Sequence, residues 1–281
     1  MLRFSLSLLA LSCLSLTSSS PLNLKPIYTK LDGSHIVGNN TDVKFVRYEL
    51  NELNNGLNNR IINGNDAPNT PWVGRMITER GNGYVVSNCG ASLIAPHWAL
   101  TAHHCLFDEN NNVVSNSFWV SLGNVEWVYG QYVGVNEIVH FGTNDHDIAL
   151  LRLERDVNDI GPIPVQVDDY IDYRGRWASI YGWGQTETGN SPLRLRYANV
   201  VLWEREQCDY NKVCLNPEIS HTNACFGDSG GPMIMEESGQ TRQIGVAHAV
   251  YNVGGGVCNG NKAFYVSTSY YGDFIRDHIN Q

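Results

Sequence analysis

The sequence predicts an all-β fold of short strands closed into barrels, and three observations carry that expectation. The 27 glycines, 14 tyrosines and 7 tryptophans, without long runs of Ala, Glu, Lys and Leu, favour a turn-rich β protein over a helical one. A hydrophobic content of 42% is enough for a substantial core in a chain of 281 residues. Short apolar segments also alternate with Gly, Asn and Pro turn signals along most of the chain. In order, the strand candidates are Asn88 to Ile94, Trp98 to Ala102, Phe118 to Leu122, Tyr132 to Val139, Ile148 to Leu153, Trp177 to Tyr181, Val200 to Leu202, Gln243 to Ala249 and Ala263 to Val266. Within Tyr270 to Ile279, the spacing of Phe274, Ile275 and Ile279 predicts a closing amphipathic helix.

The start of the chain reads differently. Met1-Leu2-Arg3, the apolar run Phe4 to Leu16 and Thr17-Ser18-Ser19-Ser20 supply the charged, apolar and small-residue parts of a secretory signal peptide, residues 1–20. The run is short for a transmembrane span and no later stretch reaches its length, so a soluble, secreted, extracellular product is expected. Residues 21–60 are polar and Asn-rich and read as a propeptide ahead of a domain spanning 61–281. Asn39-Asn40-Thr41 is a glycosylation sequon at Asn39.

The formal net charge is -9, and the part from Ile61 onward carries 13 basic against 24 acidic residues. That balance argues against nucleic acid or an anionic membrane as partner. Of seven cysteines, Cys13 falls in the leader; the other six suit three disulfides in an oxidising compartment, although spacing alone permits 15 pairings. No Cys-x-x-Cys pair points to a metal site.

Cys225-Phe226-Gly227-Asp228-Ser229-Gly230-Gly231-Pro232 carries the chemistry. A serine hydroxyl is a poor nucleophile at neutral pH and needs a base, a tight exposing turn and N–H donors for the oxyanion it creates. Here Gly227 and Ser229 can offer the N–H donors, and the glycines let a substrate backbone approach. Alone, the stretch is an ordinary Gly-rich turn. Two further segments decide: Thr101-Ala102-His103-His104-Cys105 offers a base, and Asp147-Ile148-Ala149-Leu150-Leu151 offers an acid that opens an apolar run.

In the order His, Asp, Ser, these segments resemble the chymotrypsin-like serine proteases of the trypsin family, from about Arg60 to the C-terminus. The resemblance implies two six-stranded antiparallel β-barrels with a C-terminal helix. It also implies a serine endopeptidase with His104, Asp147 and Ser229 as the catalytic residues and Gly227 and Ser229 as the oxyanion hole. His104 is preferred to His103 because the family's histidine directly precedes the cysteine, which leaves His103 as a partly solvated neighbour. Asp147 is preferred to Asp145, expected to be a solvated surface acid, because only Asp147 adjoins an apolar segment. Tyr181-Gly182-Trp183-Gly184 matches a further family signature. The disulfides implied are Cys89 with Cys105, Cys208 with Cys214 and Cys225 with Cys258. Arg60-Ile61-Ile62-Asn63-Gly64 resembles the activation junction, where the new Ile61 ammonium would pair with Asp228. The partners implied are protein or peptide substrates, an activating protease and, in some relatives, proteinaceous inhibitors.

The resemblance thins at the specificity pocket. Its base falls on Asn223, where an aspartate would favour Arg or Lys, and its walls on Ala263 and Val250. An uncharged P1 residue is therefore expected. His248, Ala249 and Val250 depart from the family's usual edge; His248 either bonds the catalytic aspartate, crowds it or fills space in a strand. Leu122 to Val135 is short and holds only Glu126 as an acid, so no calcium, other metal or cofactor is expected. A catalytically weak homologue acting as a binding or regulatory protein stays open beside the protease. A lipase or esterase is disfavoured, since the α/β-hydrolase order runs Ser, Asp, His.

Overall fold

A computed structural model describes residues 25–31, 61, 64–80, 84–86, 89–168, 173, 175–185, 191–203, 208–237, 239–251, 258 and 262–280. Residues 1–20, Asn39 and Arg60 lie outside that set, so the leader, the sequon and the cleavage point remain sequence readings.

The chain forms two antiparallel sheets. The first closes from β3 (Val73–Arg80), β5 (Gly90–Ala95), β6 (Trp98–Thr101), β9 (Ala149–Leu153), β8 (Gln131–His140) and β7 (Phe118–Leu122), with β9 pairing β8 and β7 pairing β3. This is a six-stranded barrel. Every residue of β5 and β6 is buried, because one face fills the barrel and the other meets the rest of the molecule. Leu93, Leu100, Leu122, Ile138 and Leu150 are among its largest fully buried side chains. Two further strands join this sheet: β1 (Ile27–Lys30) along the end of β8, and β4 (Tyr84–Val86) on β3. Thus a short piece of the polar region before Ile61 is strand, held by backbone pairing to Glu137–His140 and by Tyr28 Oη at 3.1 Å from His278 Nε2.

The second sheet runs β12 (Lys212–Cys214), β15 (Lys262–Ser267), β14 (Gln240–Tyr251), β13 (Pro232–Glu237), β10 (Trp177–Gly182), β11 (Arg196–Val201) and β2 (Asn65–Asp66). A bridge between Leu202 and Leu215 brings its two ends together. Its core holds Ile61, Ile180, Val200, Met233, Ile244 and Tyr265. A short helix, α1 (Pro217–Ser220), follows β12, capped by Asn216, whose side chain accepts the Glu218 N–H. The terminal helix, α2 (Gly272–Ile279), buries Phe274 and Ile275 against the first barrel. It therefore straps the end of the second half of the chain to the first.

The strand candidates all fall on strands, with Asn88 outside the described residues, but the sequence reading omits β1, β2, β3, β4, β12 and β13. In β3, Gly74 sits against the Val120 and Leu122 side chains while Arg75 is itself buried, so no apolar alternation marks it. β13 opens on Pro232, tolerable only as the first residue of a strand. The terminal helix starts two residues later than Tyr270.

The disulfides are Cys89–Cys105, Cys208–Cys214 and Cys225–Cys258, the pairing the resemblance implied. The first spans 16 residues and ties the turn His103–Cys105 after β6 to the residue preceding β5. Replacing Cys89 and Cys105 together by serine should lower unfolding free energy by about 3 kcal/mol, the chain-entropy value for a loop of that size. Urea titration checks it; an unchanged midpoint would mean that packing alone holds the loop.

Candidate active site

Thr101 ends β6 with its hydroxyl donating to the Gly90 carbonyl at 2.8 Å, and the chain then makes one 3-10 turn, His103–Cys105. Successive residues of such a turn point about a third of a revolution apart, so adjacent histidines face different surroundings. His103 goes inward: it is fully buried and stacks on Phe107 at 4.5 Å, with His140 at 5.1 Å. The expectation of a partly solvated His103 is thereby corrected. His140 has its pKa lowered to about 4, first by burial and then by the charge of His103.

His104 turns the other way. Its backbone N–H donates to Asp147 Oδ1 at 2.8 Å, and its Nδ1 lies 2.8 Å from Asp147 Oδ2. Asp147, just ahead of β9, is 1% exposed, whereas Asp145 is exposed, as its reading as a solvated acid requires. Burial alone would raise the Asp147 pKa. Hydrogen bonds and charge from His104 and His248 outweigh it and hold the carboxyl well below the usual range. The carboxylate is therefore ionised, and it fixes both ring plane and tautomer of His104.

Ser229 lies in a turn held by backbone bonds, Asp228 N–H to Cys225 O at 3.1 Å and Gly231 N–H to Asp228 O at 2.9 Å. Gly227 and Gly230 adopt φ of 97° and 73°, the left-handed region that glycine tolerates. The Ser229 carbonyl accepts the Gly90 N–H at 2.7 Å, and a Cβ on Gly230 would collide with the Thr101 hydroxyl and the Gly90 carbonyl. The nucleophile turn is thus fastened to the two strands beside the histidine turn. Among the described residues, no hydrogen bond joins the Ser229 hydroxyl to His104.

Behind the serine, Asp228 is fully enclosed. Its carboxylate accepts the Gly184 and Cys225 N–H groups, each at 2.8 Å. Gly182 and Gly184 pack so closely on it that neither position has room for a Cβ, which gives the Tyr181-Gly182-Trp183-Gly184 segment its physical reason. Burial raises the Asp228 pKa to about 6, against the lowering effect of the two N–H groups and of Arg75. Between its ordinary value near 4 and about 6, the folded carboxyl keeps a proton that the unfolded chain has released. That contribution is complete below about pH 4 and is lost as pH rises through about 6. The chain should therefore lose stability on the order of 3 kcal/mol over that window, and Asp228→Asn should flatten the slope. Parallel urea titrations of the two proteins at pH 4 to about 7.5 test this; identical slopes would reject it.

Ile61 is fully buried in the second core. In the expected pocket, Asn223 is 2% exposed, with its Nδ2 3.2 Å from the Cys258 carbonyl and its Oδ1 accepting the Ala224 N–H. Ala263 is buried, and Val250 packs on the Cys225–Cys258 disulfide. Sequence reasoning left His248 open; its Nδ1 lies 2.5 Å from Asp147 Oδ2.

A family model described as Trypsin matches residues 61–275. The chain belongs to the trypsin family. It is 30% identical to a suppressor of tumorigenicity 14 protein homolog of Bos taurus over 78% of this chain and 28% of that protein. It is 29% identical to the urokinase-type plasminogen activator of Gallus gallus over 79% of this chain and 58% of the relative. With Serine protease 1 of Drosophila melanogaster, identity is 30% over 79% of this chain and 86% of the relative. This trypsin-family chain therefore spans less than two thirds of each of the first two relatives, and most of the third.

Among the described residues, two side-chain groups have donor atoms within 4.8 Å of one another: Cys89, His104 and Cys105, and His104, Asp147 and His248. In the first, both sulfurs are consumed in the disulfide. In the second, both histidine Nδ1 atoms are engaged by Asp147. Among the described residues no helix is long and apolar enough to cross a membrane.

Proposed function

We propose that the chain is a secreted serine endopeptidase, made as an inactive precursor and activated by cleavage after Arg60, that hydrolyses peptide bonds through an acyl-enzyme on Ser229. The observation that carries this reading is His104 held twice by the buried, ionised Asp147, beside a nucleophile turn fastened to the same strands. The leader-like residues 1–20 and three disulfides support an exported product.

In the reaction, the Ser229 hydroxyl attacks the scissile carbonyl while His104 Nε2 takes its proton. The carbonyl π pair moves onto oxygen, where the Gly227 and Ser229 N–H groups stabilise it. Collapse restores the carbonyl and expels the amine, which leaves with the proton from His104. A water then repeats the sequence, giving its proton to His104, and the ester to Ser229 breaks as that proton returns to the serine oxygen. Asp147 carries no proton at any step; it stabilises the imidazolium.

Cleavage after Arg60 would create an ammonium at Ile61, whose side chain is already enclosed in the second core, and that charge would pair with Asp228 and lower its raised pKa. Burial that raises the Asp228 pKa to about 6 despite the two N–H groups and Arg75 supports a precursor in which the Ile61 ammonium has yet to form. The absence of negative charge at Asn223 and the bulk of Val250 favour an uncharged, small to medium P1 residue. The substrates are accordingly extended peptide segments of proteins, paired through their main chain.

Protein cleaved after Arg60 should hydrolyse a peptide library after uncharged residues, and its Ser229→Ala variant should not. Predominant cleavage after Arg or Lys would overturn the pocket assignment and leave the mechanism standing. No hydrolysis by the cleaved native chain would favour the binding-protein reading.

A further inference from the structure

Asp147 receives two imidazoles, one from the 3-10 turn His103–Cys105 and one from strand β14. The second comes from the second sheet. Strand β14 pairs regularly with β15 through Ala247 opposite Tyr265, resumes with Ala249 opposite Phe264, and leaves His248 as the extra residue of a β-bulge between them. A bulge re-aims a side chain that regular pleating would have sent elsewhere, and here it sends the His248 ring to the Asp147 carboxylate. The two halves of the fold meet at that oxygen.

A histidine that merely filled space would have no reason to place a ring nitrogen 2.5 Å from the Oδ2 of a carboxylate that is 1% exposed. Three donors converge on the carboxylate, and Oδ2 takes two of them. Oδ1 takes the His104 backbone N–H, and Oδ2 takes His104 Nδ1 and His248 Nδ1. The backbone next to His248 is tied to the nucleophile as well, since the Ala247 carbonyl accepts the Gly230 N–H and the Ala247 N–H donates to Gly231 O, each at 2.8 Å. One two-residue stretch thus holds the turn after Ser229 by its main chain and the acid by its side chain.

We propose that His248 is a positioning residue whose Nδ1–H locks the Asp147 carboxylate in the orientation that directs Oδ2 at His104. The proposal rests on the protease reading above and deepens it. Without this donor the carboxylate keeps its charge but loses one of the bonds fixing its rotation, so His104 is steered less sharply while substrate binding is untouched.

The test uses the Arg60-cleaved protein with His248→Leu, which removes the donor at similar bulk, and His248→Asn, whose amide N–H can stand near the former Nδ1. Leu should lower kcat about 10- to 100-fold, the usual scale for losing an orienting partner, with KM within about twofold. Asn should restore most of that loss. Proton NMR of protein with nitrogen-15-labelled histidine should give two low-field Nδ1–H resonances in the native chain and one in either variant. Full kcat in the Leu variant, no recovery in Asn, or a single low-field imidazole resonance in the native chain would overturn the proposal. If the Leu variant does not fold, the native and Asn spectra still decide. Because the spectra need no turnover, they separate failure of this inference from failure of the peptidase reading, which Ser229→Ala reports.

Discussion

Replacing Asp147 by asparagine should reduce kcat by about 10⁴-fold with little change in fold, the scale seen when a triad aspartate becomes an amide. The reason lies in the two contacts to His104. An amide that accepts the His104 backbone N–H through its oxygen turns an NH₂ toward His104 Nδ1 and His248 Nδ1, where the native carboxylate accepts. His104 is then driven to the tautomer with Nδ1 bare and Nε2 protonated, which cannot take the serine proton. Steady-state kinetics on cleaved protein would check this, with a denaturation curve to confirm that the variant is folded. A loss below about tenfold would mean that His104 is held by something other than Asp147.

Arg60→Gln should leave the chain uncut by an activating protease that cleaves after basic residues, and its activity should stay at the precursor level. The expected gap is set by Asp228. A buried carboxylate lacking its counterion costs about 3–5 kcal/mol, so ordering the oxyanion turn without the Ile61 ammonium is disfavoured by roughly 10²- to 10⁴-fold. Intact mass before and after treatment, followed by turnover of a library-derived peptide, reads both halves. Full activity in the uncut variant would remove the precursor from the account.

The parts of the site legible in the sequence are those whose chemistry is local. His104 beside Cys105, Asp147 opening an apolar strand and Ser229 between Asp228 and Gly230 each carry their identity in a few neighbours. The barrel strands were legible where alternation or apolar runs bound by turns survive, as in Phe118–Leu122 and Ala149–Leu153. They were not legible in Val73–Arg80, because the run Val73–Ile77 is buried on both faces and holds a glycine and a buried arginine, so it has no period to read. His103 was misplaced because sequence adjacency suggested shared exposure, whereas a 3-10 turn sends neighbours in different directions. The role of His248 was ambiguous because its direction depends on a bulge, and a one-residue shift in register decides which face of a strand a side chain takes.

The central claim is that the three side chains at 104, 147 and 229 act together once the chain is cut. It is tested most directly by treating cut and uncut protein with a fluorophosphonate and locating the adduct by peptide mass spectrometry. The account predicts stoichiometric modification of Ser229 in the cut protein, sharply reduced modification in the uncut protein and none with His104→Ala. An adduct on another residue, or an unlabelled Ser229 in the cut protein while a control protease reacts, would contradict it.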